Sequence, residues 1–414
     1  MRIGLLHYSS PPIVGGVEQT LYYHARILSD LGHEVHLVVG AGEPFDPRVQ
    51  VSTLPTISSK HPSVLAIKWA LNRGQVTSDF EALREELKRD LAQSLARVEA
   101  LIVHNALTLH KNMALTAALW DLWQDRPWRR FIGWHHDFAW LRPQYQPEMH
   151  EGYPWDLLRR PWPDVLNVTV SQEQREQLAG LYGVPADTIR SVPPGFDPAS
   201  IGIWTESTTR MVEDLGLLSA DLLLLLPARI TRRKNIELAI EILAELRGGQ
   251  GDDARLLISG PPGPHNPANL DYLKELLAQA ARLGVQEATY FLFDPYGDEA
   301  EGLDQATLAN LYSLADALLF PSRQEGFGIP VLEAAWSRLP VFCSDIPPFR
   351  ESGGPFIHTF SLDESPKEIA SRISSVLKHD PAFLFRRRAR MRYTWPMIVS
   401  QHLIPLLSRG EHGQ

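Results

Sequence analysis

Short apolar runs alternate along most of the chain with longer stretches whose apolar residues recur every third or fourth position. The first kind suits buried strands and the second suits helices packed on them, so their alternation predicts βαβ units in parallel sheets. In the first half, strands are predicted over 2–7, 34–39, 100–103 and 130–135, and helices over 17–31 and 108–123. Gly32 stands where a helix end favours a left-handed residue. The segment 137–163 is rich in Trp, Pro and charge but has no period, and is expected to be a long functional loop with short helical turns. The turn-rich Pro193-Pro194-Gly195-Phe196-Asp197 leads into a second alternation. Its strands are predicted over 221–226, 255–259, 289–293, 317–320 and 340–343, and its helices over 235–246, 270–283, 306–314 and 329–337. The tail after Ser365-Pro366 reads as largely helical, with Pro396 at the start of a last helix. Two doubly wound α/β domains follow, 1–195 and 196–393, with a ligand expected between them at the carboxyl ends of the strands.

Composition narrows the function. A length of 414 residues exceeds one ordinary core and fits two domains. The net charge of −9 argues against a nucleic-acid partner, which needs a basic face. Cys343 is the only cysteine, so no internal disulfide forms and a reducing cytoplasm is expected. It lies in an apolar run and reads as a buried strand thiol. The opening residues do not resemble a targeting peptide, and the leucine run 222–226 is far shorter than the ~20 residues that span a bilayer. At most peripheral membrane contact is expected. Oligomeric state has no signature here.

The chemistry concentrates in 317–335. There an apolar strand leads into Ser322-Arg323-Gln324-Glu325-Gly326-Phe327-Gly328-Ile329-Pro330 and then a helix carrying Glu333. Gly326 and Gly328 let backbone approach a ligand, and the helix start offers free N–H groups to an anion. In a continuous helix Glu325 and Glu333 would stand about 12 Å apart, so the loop is needed to set both carboxylates along one extended polyol. Residue types alone leave helix capping and surface charge as an equal explanation.

The whole stretch resembles the E-x7-E signature of the retaining GT-B-fold glycosyltransferases, the group 1 or family 4 type, and the likeness continues through Pro340-Val341-Phe342-Cys343-Ser344-Asp345. The resemblance implies two Rossmann-like domains facing across a cleft. It gives Glu325 the transferred sugar and Glu333 the nucleotide ribose, with amides of Phe327, Gly328 and Ile329 over sugar and phosphate. The loop Arg229-Ile230-Thr231-Arg232-Arg233-Lys234-Asn235 is similar to the family's diphosphate grip, in which Arg229 and Lys234 are the matching cations. The family often has Gly where Asn235 stands. Preorganised cations at that place would meet the charge that develops on a diphosphate leaving group. Arg232 and Arg233 read as exposed neighbours, with an assisting role for one of them left open.

Further matches are more local. Gly15-Gly16 resembles the family's glycine pair near donor phosphate or acceptor, though tight-turn glycines need no such role. Without G-x-G-x-x-G and an acid after residue 39, no dinucleotide cofactor is expected. In Trp134-His135-His136-Asp137 the two histidines point to opposite faces of a strand and cannot chelate one metal, so no metal is expected. The resemblance sets His136 near the reacting sugar, with His135 as the fallback, and a satisfied core histidine stays possible for either. Gly260 and Phe293 fall where the family lines its nucleotide pocket. Asp137 and Trp140 are acceptor-side candidates, and Trp140, Tyr145, Tyr153, Trp155 and Trp162 would suit stacking on a sugar ring or plain core packing. The tail 394–414, with Tyr393-Thr394-Trp395, resembles the helix that crosses back to the first domain. The run Arg386-Arg387-Arg388 reads as a solvated helix face.

The function implied is retaining transfer of a hexosyl group from a nucleotide diphosphate sugar to a hydroxyl acceptor, a sugar, glycoside or lipid-linked molecule, without cofactor or metal. Front-face attack, with a donor phosphate oxygen taking the acceptor proton and domain closure excluding water, is the implied route. A GT-B disaccharide phosphorylase, a sugar-nucleotide epimerase and a non-catalytic sugar-nucleotide binder are the alternatives.

Overall fold

The structure is a computed structural model that describes every residue except Arg126, 264–267, 294–301 and 409–414, and the side chain of Gln250. The chain forms two compact units: Met1–Phe196 with Tyr393–Gln414, and Asp197–Arg392.

The first unit is a seven-stranded sheet of β1 (Arg2–His7), β2 (Glu34–Val39), β3 (Val49–Thr53), β4 (Ala100–His104), β5 (Arg130–His135), β6 (Leu166–Thr169) and β7 (Arg190–Ser191). Its order is β3-β2-β1-β4-β5-β6-β7, and every pairing is parallel. Successive residues of β4 enter opposite cores: Leu101 and Val103 pack with Leu87 and Trp123, Ala100 and Ile102 with Leu21 and Ala25. Helices therefore cover both faces, which is why the central strands are continuously apolar. The helix Gly16–Asp30 ends at Leu31, and Gly32 takes the left-handed conformation (φ +81°) that its place requires.

The segment 137–163 does form a loop of short turns, Ala139–Leu141, Pro143–Glu148 and Trp155–Leu158. Its tryptophans take part in packing. Trp155 and Trp162 are buried in the core, and Trp140 donates its indole N–H to the Trp155 carbonyl while Arg159 lies 4.3 Å from its ring centre. The expected helix over 108–123 begins only at Met113, capped by the Asn112 side chain, because residues 105–112 turn the chain at the strand end.

The last helical segment belongs to the first unit. Trp395 stacks on Tyr23 with centroids 5.1 Å apart, and Ile398, Val399 and Leu403 enter the core beside β1 and β2. A Cβ on Gly195 would meet the Trp395 ring at 2.5 Å, so the turn after β7 needs glycine for that packing. Residues 409–414 of the expected 394–414 helix lie outside the described residues.

The second unit is a six-stranded sheet of β8 (Leu222–Leu226), β9 (Ala254–Ile258), β10 (Thr289–Phe291), β11 (Ala317–Phe320), β12 (Val341–Ser344) and β13 (His358–Phe360), in the order β10-β9-β8-β11-β12-β13, again all parallel. The leucines of β8 are all buried, each worth roughly 1.5–3 kcal/mol against exposure. The basic run at 386–388 is not a free solvated face. Arg387 pairs with Asp221, and Arg386 donates to the Ser313 carbonyl. One turn on, buried Arg390 grips buried Asp316 with two bonds of 3.0 and 2.9 Å. No helix among the described residues is long and apolar enough to cross a membrane.

Candidate active site

In a doubly wound sheet, ligands gather at the carboxyl ends of strands where the order reverses. In the second unit that point lies between β8 and β11. The loop after β8 carries Arg229 to Asn235, and the loop after β11 carries Ser322 to Gly328, so topology brings the two candidate loops together.

Their side chains meet. Lys234 Nζ lies 2.5 Å from Glu325 Oε1, both side chains are 9% exposed, and Arg233 reaches Glu325 Oε2 at 3.0 Å. Burial raises the Glu325 carboxyl, but Lys234 and Arg233 outweigh it and hold it below the usual value, so it stays an ionised acceptor. Burial likewise lowers the Lys234 ammonium, opposed by Glu325. Arg233 thus belongs to the charge cluster, unlike Arg232, which forms an exposed pair with Glu275 at 2.7 Å and lies over Tyr272. Its sequence signal was weak: three adjacent cations, whose sorting depends on the short helical turn Arg232–Lys234. Asn235 has φ +54° and accepts from Arg323 at 2.7 Å. That left-handed backbone favours Gly or Asn, which accounts for asparagine at a position where glycine is common.

Arg229 is exposed on the same loop. The loop is held by the one after β9: Ile230 N–H donates to the Pro261 carbonyl at 2.9 Å, and Gly263 N–H to the Ile230 carbonyl at 3.3 Å. A Cβ on Gly260 would stand 2.4 Å from the Ala228 carbonyl oxygen, so Gly260 serves the close approach of the two loops. Phe293 is half-buried against the core, next to residues outside the description.

Gly328 has φ +95° and precedes the helix Ile329–Trp336, which carries Pro330 in its first turn. A Cβ there would also strike Phe349 at 2.8 Å, whereas Gly326 faces open space. Phe327 and Ile329 are exposed. Glu333, exposed on the next turn, accepts from the Tyr312 hydroxyl at 2.5 Å and lines a cavity of about 550 Å³ with Leu308, Tyr312 and Trp336. Burial, then the Glu333 carboxylate, pushes the Tyr312 phenol up, so it remains a donor. Tyr312 lies inside the predicted helix 306–314, where nothing distinguished it from a core residue. Cys343 is buried, and burial pushes its thiol up to about 12, fitting a structural residue.

In the first unit the switch point lies between β1 and β4. His7 ends β1 and its Nδ1 lies 3.0 Å from the His104 carbonyl oxygen. His104 ends β4, and its Nδ1 lies 3.2 Å from His136 Nε2. Asn105, in a left-handed conformation (φ +62°), accepts the His136 backbone N–H at 2.8 Å, and Gln174 donates to the His136 carbonyl at 2.9 Å. Desolvation, then the neighbouring histidines, pushes His136 down to about 3, so the ring is neutral near pH 7. His7 and His104 are not among the sequence candidates, although His7 ends a predicted strand as His135 does and His104 directly follows one.

His135 is fully buried, with Nε2 2.9 Å from Asn167 Oδ1 and Nδ1 3.1 Å from the Thr108 hydroxyl. It is a satisfied core histidine, which removes it as the fallback for His136. Asp137 is committed to its own loop, accepting from Arg142 at 2.5 Å and from the Phe138 N–H at 2.9 Å. Gly15 is extended (φ −176°), and a Cβ there would strike the Glu18 carboxylate, itself bonded to the Ser9 hydroxyl at 2.6 Å. Gly16 is exposed and open. Among the described residues no group of three or more His, Cys, Asp or Glu side chains is placed to hold a metal ion.

Comparison with known proteins gives two domain matches: residues 14–200 match glycosyltransferase family 4, and residues 208–394 match glycosyl transferases group 1. A mannosylglucosylglycerate synthase of Petrotoga mobilis is 25% identical over 382 residues, covering 86% of this chain and 85% of that protein. The enzyme of the same name from Thermotoga maritima is 26% identical over 418 residues, covering 89% and 91%. Among solved structures, Anabaena HepE in complex with UDP and glucose is matched over 99% of this chain and 100% of that one, at 17% identity and a TM-score of 0.36. Because the two domain matches leave only 201–207 uncovered between residues 14 and 394, the chain belongs to the glycosyltransferases, with a family 4 domain followed by a group 1 domain.

Proposed function

We propose that the protein transfers a hexosyl group from a nucleotide diphosphate sugar to a hydroxyl of a small glycoside, with retention at the anomeric carbon and without a metal. The observation that carries this reading is the Lys234–Glu325 pair at the switch point of the second unit. It sets a cation and an ionised carboxylate side by side on two loops, the two functions a diphosphate sugar needs.

In this reading Lys234 and Arg229 meet the diphosphate, whose charge grows as the glycosidic bond breaks. Glu325 accepts from hydroxyls of the transferred sugar, and Glu333, oriented by Tyr312, accepts from the ribose. Backbone N–H groups at the start of the helix Ile329–Trp336 face the phosphates. Glu325 is not the nucleophile. The acceptor attacks from the face the leaving group departs, and a donor phosphate oxygen takes its proton. The relatives named mannosylglucosylglycerate synthase favour a small glycoside over a lipid as acceptor.

The test is to incubate the purified protein with uridine, guanosine and adenosine diphosphate sugars in the presence of a chelator, then add glycoside acceptors. Acceptor-dependent nucleotide release and an unchanged anomeric configuration in the product are expected. Consumption of orthophosphate would instead indicate a phosphorylase, and a strict divalent-ion requirement would sink the metal-free mechanism.

A further inference from the structure

His136 does not stand alone, and the groups around it decide where its proton sits. Its Nε2 faces His104 Nδ1 at 3.2 Å, so one proton must lie between the two rings. Both rings are neutral near pH 7, since burial first and neighbouring histidines second lower His104 well below the usual value and His136 to about 3. Two arrangements remain: His104 donates from Nδ1, or His136 donates from Nε2.

The far edge of His104 separates them. Its Nε2 is buried without a hydrogen-bond partner, and the ring packs against Trp134, with centroids 5.7 Å apart, and His24 at 5.8 Å. If His136 were the donor, the His104 proton would sit on that Nε2, as a buried N–H with nothing to receive it. Orphaned buried donors are rarer than under-satisfied acceptors. With the proton on Nδ1, His104 instead leaves only a lone pair facing the aromatic pocket.

We infer that His104 is a positioning residue that donates from Nδ1 to His136 Nε2 and thereby holds the His136 proton on Nδ1. The partly exposed edge of His136, where no protein group of the described residues meets Nδ1, then offers an N–H donor. Its partner is an oxygen acceptor, a hydroxyl or ether oxygen of a sugar, and not a hydroxyl proton to be abstracted. The His104 carbonyl, accepting from His7 Nδ1–H, and the Asn105 bond to the His136 backbone fix both rings from below. The ligand role of His136 rests on the proposed function, but its tautomer does not.

Long-range 1H–15N NMR of histidine-labelled full-length protein reads the tautomer directly. Wild type should show a protonated-type Nδ1 and an unprotonated Nε2 for His136. His104→Phe, which keeps a ring and removes the donor, should turn that signature into a mixture, and His104→Asn, whose amide reaches the Nδ1 position, should restore it. Turnover should fall about tenfold in the Phe variant and recover in the Asn variant. A protonated Nε2 on wild-type His136, or a signature unmoved in His104→Phe, would overturn the inference. The wild-type spectrum decides the tautomer even if the Phe variant does not fold. A tautomer as stated, with unimpaired turnover in both His104→Phe and His136→Ala, would uphold the His104 bond and overturn the donor role of His136.

Discussion

Glu325 sits between two cations, so its charge and its shape can be separated. Glu325→Gln keeps the shape and removes the charge that Lys234 and Arg233 oppose. A charge-assisted bond to a sugar hydroxyl is worth about 1.5–3 kcal/mol, so turnover should fall roughly ten- to a hundredfold. Affinity for the nucleoside diphosphate alone should hold, because Lys234 remains; steady-state kinetics that leave turnover intact would contradict the sugar role. Another residue-scale outcome concerns His24, fully buried with neither ring nitrogen bonded. Burial pushes it down to about 3. His24→Phe should therefore stabilise the protein at pH 5 more than at pH 7, as read by urea unfolding. At this scale, the resemblance of two motifs singled out Glu325, Glu333, Arg229 and Lys234 in the sequence, where residue type alone left their roles open. The roles of Tyr312, Arg233 and His104 arise from contacts between elements distant in the chain, which no local pattern encodes.

Among the elements, the central strands were legible because both their faces are buried, which leaves an unbroken apolar run. Strands β1, β2, β5 and β11 fall where the pattern puts them. The edge strands β3, β7 and β13 are short and only partly buried, and β6 carries Asn167, so none of the four shows such a run. The helix Ser78–Ser94 carries a local signal, Phe80, Leu83, Leu87 and Leu91 behind a Thr77 cap, although it lies outside the predicted elements. Loop geometry is less local. Gly260 matters because of Ala228, 32 positions earlier in the chain, and Gly260→Ala would force backbone, not a flexible side chain, to move. Overpacking of that kind costs about 1–3 kcal/mol. It should shift the Arg229 loop and raise the donor KM about tenfold; an unchanged KM would detach that loop from the donor.

For the whole molecule, the first unit carries buried histidines whose protonation opposes folding. His135 is held at about 4 and His24 at about 3 by burial, against an unfolded value near 6.5. A depressed value means that the stability is fully present above pH 6.5 and is lost as pH falls toward the folded values, about 1–2 kcal/mol per histidine by pH 5. Unfolding free energy should fall steadily between pH 7 and 5, and a flat profile would contradict this. In the second unit, Arg390→Met strands Asp316 without its buried partner and should cost about 3–5 kcal/mol in urea unfolding. A loss below about 1 kcal/mol would contradict that anchoring role.

The central claim is that the second unit binds a nucleotide diphosphate sugar through Lys234 and Glu333. Calorimetric titration of uridine, guanosine and adenosine diphosphates into the wild-type protein, Lys234→Ala and Glu333→Ala tests it most directly. One nucleotide should bind the wild type, and each substitution should weaken it about ten- to a hundredfold. Undiminished affinity in both variants would contradict the account.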